Sequence, residues 1–325
     1  MNNQNPPAVL VLQGDAAPPR MASIERLANV RHAGEAELAD SLPGAEILFI
    51  WDFLSDAVAR AWPHADALRW VHIASAGVDR LLFPELAASE VVVTNSRGVF
   101  EEPIAEYVLG VVLCFAKDLH TTLRMQVRRQ WMHRETERIT GARVLIVGTG
   151  PIGRAIGRRL AAVGMKVRGI GRTGRPEDPD LGDVRPFAEL HEALSDADYV
   201  VLAAPLTDTT RGMIDAGSLA KMRPTARLIN VGRGRLVVED DLIEALREER
   251  IAGAALDVFA AEPLAESSPL WEMPDVLVSP HMSGDTAGWR EDLVDLFADN
   301  LARYRRGGEL RNVVDKQLGY VSRGA

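Results

Sequence analysis

The chain has 325 residues, enough for about two domains at roughly 150 residues each, and both can bury a full core. Its formal net charge is −9, which excludes a general binder of nucleic acid or of an anionic membrane, since both need a basic face; a local basic pocket for a small anion stays open. The single cysteine, Cys114, rules out an intrachain disulfide and suits a reducing, cytoplasmic setting, with the thiol read as a small core residue.

The first residues, MNNQNPPAVLVLQGD, carry no basic region ahead of a short apolar run, so they are not read as a secretion signal. No apolar stretch approaches the ~20 residues needed to span a bilayer. Four buried-strand patterns follow in order: AVLVLQ (8–13), EILFIW (46–51), WVHIAS (70–75) and VVVTN (91–95). Next comes EEPIAEYVLGVVLCFAKDLHTTLRMQVRRQW (101–131), whose apolar residues recur at helical spacing with Pro103 in the first turn. It reads as one long helix that buries more than one face.

A second strand series then begins: RVLIVG (143–148), KVRGIG (166–171), YVVLAA (199–204), RLINVG (227–232), AALDVF (254–259) and VLVSP (276–280). RPEDPDLGD (175–183) reads as a polar loop, and WREDLVDLFADNLARYRRG (289–307) as a final amphipathic helix. Strands separated by helical segments of ~10–20 residues imply βαβ units and parallel sheets; two series imply two α/β domains.

RVLIVGTGPIGRAIGRRLAAVG holds the motif that carries chemistry. Gly148, Gly150 and Gly153 have the G-x-G-x-x-G spacing, with Thr149, Pro151 and Ile152 between them. The first glycine permits a tight turn, the second lets backbone approach a pyrophosphate, and the third lets helix and strand pack closely. The helix N-terminus then offers free N–H groups and a partial positive charge to the phosphates. The motif alone is weak, but it follows an apolar strand and opens a helix, which is the context a dinucleotide site requires.

The turn after the second strand of this unit selects the cofactor. NAD-selective proteins place an acid there to bind the ribose 2′-hydroxyl. Here the position falls on Gly171, followed by Arg172, Thr173 and Arg175. Guanidinium and hydroxyl donors suit a 2′-phosphate, so NADP(H) is expected over NAD(H), which stays possible. The competing reading is a solvated basic turn.

Three further residues lie where α/β sheets place ligands, just beyond strand ends: Arg233 in INVGRGRLV, Glu262 in LDVFAAEPL and His281 in LVSPHMSGDTAGW. Together they suit reduction of a 2-oxo acid. His281 can supply a proton near neutral pH. Glu262 can hold the other imidazole nitrogen, and Arg233 can bind a carboxylate and polarise the adjacent carbonyl. The other histidines show no ligand spacing, and neither H-E-x-x-H nor C-x-x-C occurs, so no metal is expected.

At this point SAGVD (75–79), GTGPIG, PLTDTTRGMI (205–214), INVGRG, ALDVFAAEPL and SPHMSG stand in one ordered set. The chain resembles the D-isomer-specific 2-hydroxyacid dehydrogenases, a family that includes glyoxylate/hydroxypyruvate reductases and phosphoglycerate dehydrogenases. The resemblance implies two doubly wound parallel-sheet domains: a Rossmann nucleotide-binding domain (98–284) inserted into a flavodoxin-like substrate domain (1–97 plus 285–325), with substrate held in the cleft between them. It assigns catalysis to Arg233, Glu262 and His281, and substrate-carboxylate binding to the backbone of Ser75, Ala76, Gly77 and Val78. Pro205, Val231 and Gly232 would lie along the cofactor, and Asp257 would contact the nicotinamide carboxamide. It also implies a homodimer formed through the nucleotide-binding domain and helix 101–131. Trp51 to Phe53, Met282 and Trp289 would shape the substrate's side-chain pocket, and aromatic residues there suit an apolar 2-oxo acid. Two alternatives stay open: an NAD-using enzyme like phosphoglycerate dehydrogenase, and a non-catalytic dinucleotide sensor of the same family.

Overall fold

The computed structural model describes residues 5–321, and the chain divides into two compact units, Met1–Val99 with Thr286–Ala325, and Phe100–Asp285. Among the described residues no helix is long and apolar enough to cross a membrane.

The first unit holds a five-stranded sheet built from β1 (Ala8–Leu12), β2 (Asn29–Ala33), β3 (Ile47–Ile50), β4 (Trp70–Ile73) and β5 (Val92–Asn95). The order is β2-β1-β3-β4-β5 and every pairing is parallel. This 2-1-3-4-5 order is the flavodoxin-like form of the doubly wound sheet. β3 and β4 are buried along their whole length, which explains why they read as continuous apolar runs rather than alternating ones. The C-terminal helix Trp289–Arg305 joins this unit because its apolar face has a partner there. Phe297 stacks on Phe49 at 4.1 Å and on Trp70 at 5.2 Å, and the Tyr304 hydroxyl donates to Glu46 at 2.6 Å.

The second unit holds β6 (Arg143–Val147), β7 (Lys166–Gly171), β8 (Arg175–Asp178), β9 (Gly182–Pro186), β10 (Tyr199–Leu202), β11 (Arg227–Asn230), β12 (Gly253–Leu256) and β13 (Val276–Val278). Their order is β13-β12-β11-β10-β6-β7-β9-β8. Read from β9 to β12 this is the Rossmann order, and the chain reverses direction across the sheet at the β6–β10 boundary. All neighbours are parallel except β8, which runs antiparallel to β9.

Two expectations are corrected here. The segment 175–183 is not a loop: it supplies the edge strand β8 and the start of β9. Its charged residues are compatible with a strand because β8 is an edge, with only Asp178 fully buried. The segment 101–131 is not one helix. It forms Glu101–Ala116 and Leu119–Val127, separated at Asp118, whose φ of 47° is left-handed and ends the first helix. The first of these buries Ile104, Val108, Val111, Val112 and Phe115, and its Glu102 and Glu106 pair with Arg158 and Arg159 of the helix Pro151–Ala162.

Candidate active site

The β6 turn forms as its glycines require. Gly148 has φ of 113°, and a Cβ there would lie 2.5 Å from the Ala203 carbonyl group. A Cβ on Gly153 would lie 1.9 Å from the Gly148 oxygen, so the helix could not approach the strand. Gly150 differs: a Cβ there would meet no protein atom within 4 Å. Packing within the protein therefore accounts for the outer glycines and not for the middle one. Gly150 is the N-cap of the helix Pro151–Ala162 and offers no side chain to its amides. A helix start without such a cap leaves backbone donors for an anion. The residues present thus fit a dinucleotide pyrophosphate.

At the end of β7, a Cβ on Gly171 would lie 2.9 Å from Thr149 Oγ1, so Thr149 fills the space an acidic side chain would start from. Arg172 and Thr173 are exposed on the following turn. Arg175 begins β8, and its Nε donates to Asp178 at 3.3 Å. Asp178 also takes a two-pronged contact from Arg154, at 2.9 and 2.5 Å, which ties the nucleotide helix to the edge strand. Burial alone would push the Asp178 carboxyl up, but the Arg154 guanidinium and the Asp180 amide hold it down at about 2.

β10, β11, β12 and β13 end in the remaining predicted residues. Pro205 follows β10 in a turn where its carbonyl accepts from Thr210 Oγ1 at 2.7 Å. Val231 and Gly232 are buried after β11. Arg233 comes next, half-buried, with Nη1 donating to the Gly232 carbonyl at 2.7 Å. Asn230 braces this turn from both sides: its Nδ2 donates to the Arg233 carbonyl at 2.9 Å and its Oδ1 accepts from the Gly232 amide at 3.1 Å. The sequence reading passed over Asn230, although a buried asparagine closing a strand is a signal that a turn needs bracing.

Glu262 and His281 are brought together. His281 Nδ1 lies 2.9 Å from Glu262 Oε2, and Glu262 Oε1 accepts the Phe259 amide at 2.9 Å. His281 is itself left-handed, with φ of 52°, a conformation that costs a non-glycine residue of order 1 kcal/mol or more. Asp257 stands beneath it. Its carbonyl accepts the His281 amide at 2.8 Å; Oδ1 accepts Ser279 Oγ at 2.6 Å and the Met282 amide at 2.9 Å, and Oδ2 accepts the Ser283 amide at 2.9 Å. Asp257 is 1% exposed, and its carboxylate is engaged with the 279–283 loop.

The loop Ser75–Val78 belongs to the first unit and is half-buried up to Val78. The carbonyls of Ser75, Ala76 and Gly77 accept from the Ser96 amide, Asn95 Nδ2 and Ser75 Oγ respectively, at 2.9, 2.6 and 2.6 Å. Across a trans peptide the next N–H points the opposite way, so the amides of Ala76, Gly77 and Val78 turn away from these donors. In the same unit Trp51 is nearly buried, and Phe53 meets Trp289 edge to face at 6.4 Å. Met282, in the second unit, is about half exposed. Among the described residues no group of three or more His, Cys, Asp or Glu side chains is arranged to hold a metal.

Comparison with known proteins places the chain among relatives of one family. A family model described as "D-isomer specific 2-hydroxyacid dehydrogenase, NAD binding domain" matches residues 109–283. A glyoxylate reductase of Thermococcus gammatolerans is 32% identical over 269 residues, covering 80% of this chain and 80% of the relative. Among solved structures, an NADPH-dependent glyoxylate/hydroxypyruvate reductase from Sinorhizobium meliloti, in complex with NADP and sulfate, superposes with a TM-score of 0.82 at 28% identity, over 97% of this chain and 100% of that one. A D-isomer specific 2-hydroxyacid dehydrogenase from Xanthobacter autotrophicus, in complex with NADPH and MES, gives 0.81 at 31% identity, over 97% and 99%.

Proposed function

Because this chain belongs to the D-isomer specific 2-hydroxyacid dehydrogenase family, whose members are NAD(P)-dependent oxidoreductases, we propose that it works as a 2-oxo acid reductase that prefers NADPH to NADH. The observation that carries the catalytic assignment is the 2.9 Å contact between His281 Nδ1 and Glu262 Oε2. It leaves Nε2 as the nitrogen that gives a proton to the substrate oxygen, with Glu262 fixing the ring. Arg233, presented by the braced turn after β11, anchors the substrate carboxylate and polarises the neighbouring carbonyl. The amides of Ala76, Gly77 and Val78 are further donors suited to that carboxylate. A reduced nicotinamide, when bound, supplies the hydride. The helix start at Gly150 holds its pyrophosphate, Pro205, Val231 and Gly232 lie along it, and Arg172, Thr173 and Arg175 meet the 2′-phosphate.

Glyoxylate and hydroxypyruvate head the substrate class, since reductases of these acids are among the similar proteins. The edge-to-face pair Phe53 and Trp289 suits a larger apolar side chain as well. Leu119, Leu123 and Val127 recur every four residues on the second helix and are exposed, with Trp131 exposed just beyond it, which supports a homodimer through the segment 101–131; light scattering of the purified protein reads this directly. The lone Cys114 suits a cytoplasmic enzyme.

The test is NADPH oxidation by the purified protein with glyoxylate, hydroxypyruvate and phenylpyruvate. His281→Ala is expected to bind NADPH normally and to lose turnover; full activity in that variant overturns the acid assignment. Wild-type protein that binds NADPH but oxidises none with any of the three acids favours a dinucleotide sensor.

A further inference from the structure

The left-handed His281 needs something to hold it, and the bonds around Asp257 contribute to that hold. Those bonds continue outward. Ser279 Oγ donates its single proton to Asp257 Oδ1 at 2.6 Å, and the Tyr107 hydroxyl lies 2.6 Å from the same Ser279 oxygen. A serine hydroxyl has one proton to give, so Tyr107 must be the donor in that contact. The chain therefore runs in one direction, from Tyr107 O–H to Ser279 O–H to the Asp257 carboxylate, whose oxygens then take the amides of Met282 and Ser283. Burial keeps the Tyr107 phenol above its ordinary range, which matches a group that must stay protonated to donate. Tyr107 lies on the helix Glu101–Ala116, far in sequence from both the serine and the aspartate.

We propose that Tyr107 and Ser279 are positioning residues for the reaction, acting through Asp257 to hold the His281 loop in its left-handed form. The relay rests on the reading of His281 as the proton donor. It fixes Asp257 in the rotamer that reaches both amides, and so fixes the imidazole against Glu262. Without the Tyr107 proton, Ser279 Oγ loses a partner in a half-buried site and can turn from Asp257 to satisfy itself elsewhere.

The experiment compares wild type, Tyr107→Phe, Ser279→Ala, Ser279→Thr and His281→Ala. Amide hydrogen exchange of residues 281–283 is followed without cofactor, alongside kcat, the Kd for NADPH and the melting temperature. Tyr107→Phe and Ser279→Ala are expected to speed exchange at Met282 and Ser283 and to lower kcat, each about tenfold given what small misplacements cost a reacting group. NADPH Kd and melting temperature should stay near wild type, and Ser279→Thr, which keeps the hydroxyl, should restore both readouts. Wild-type exchange and kcat in Tyr107→Phe and Ser279→Ala, with His281→Ala inactive, overturn the relay alone. An active His281→Ala overturns the acid assignment and the relay with it.

Discussion

The Glu262 carboxylate is held at both ends: Oε1 takes the Phe259 amide and Oε2 faces His281 Nδ1, each at 2.9 Å. The first bond fixes the carboxylate to the loop after β12, so the imidazole it meets is fixed as well.

Glu262→Gln tests the contact to His281. The amide oxygen can still accept from Phe259, so the loop keeps its shape, but the side-chain NH2 then faces Nδ1, and both the charge and the acceptor beside the imidazole are gone. We expect kcat for oxo-acid reduction to fall by about tenfold or more. A kcat equal to wild type would show that the charge of Glu262 is not needed for proton transfer.

The two arginines of the basic turn are not equivalent. Arg175 is half-buried, with Nε donating to Asp178 at 3.3 Å, a carboxylate shared with Arg154 and almost wholly buried; Arg172 is exposed just past the end of β7. Arg172→Gln should raise the KM for NADPH by about tenfold, the scale of one charge-assisted contact to phosphate, and leave NADH little changed. Arg175→Gln should have the smaller effect on KM. An unchanged NADPH-to-NADH ratio in Arg172→Gln would reduce the turn to a solvated loop.

How far the sequence carries depends on burial. β3, β4 and β10 are buried throughout and stand out as apolar runs. β2 is hidden because most of NVRHA is exposed or half-exposed at a sheet edge, and β8 and β9 because their charges and prolines resemble a loop. The break at Asp118 carries no glycine or proline, and the apolar spacing runs on through Leu119, Leu123 and Val127. The catalytic candidates were legible because each follows a strand end. The grip of Asp257 on the 279–283 loop was not, since it joins residues 22 to 26 positions apart through β-sheet adjacency that only the fold creates.

The glycine fingerprint gives a contrast within five residues. Gly153→Ala forces a methyl to 1.9 Å from the Gly148 oxygen and should lower the melting temperature sharply as the helix is pushed from the strand. Gly150→Ala adds a methyl that meets no protein atom, at an ordinary φ of −75°. That variant should fold normally and bind NADPH at least tenfold more weakly, read by fluorescence titration. Normal binding in folded Gly150→Ala would place the pyrophosphate elsewhere.

His72 predicts an acid-sensitive stability that has no link to catalysis. It is fully buried on β4, with Nδ1 2.7 Å from Thr94 Oγ1 and Nε2 3.3 Å from Ser96 Oγ. Thr94 Oγ1 already accepts from Trp70 Nε1, and Ser96 Oγ donates to the Ile73 carbonyl, so the chain of donors is complete with a neutral imidazole that accepts at Nδ1 and donates at Nε2. A second ring proton would oppose the Thr94 hydroxyl in a fully buried site, and burial pushes His72 down to about 3 from its ordinary 6.5. The folded value lies below the unfolded one, so the unfolded chain takes up the proton first. The stabilisation is therefore whole above about pH 6.5 and is lost as pH falls toward about 3, at up to about 1.4 kcal/mol per pH unit. His72→Asn, which cannot titrate, should melt lower than wild type at pH 7, and the gap should narrow steadily down to pH 4. Parallel melting curves across that range would place the acid sensitivity in another group.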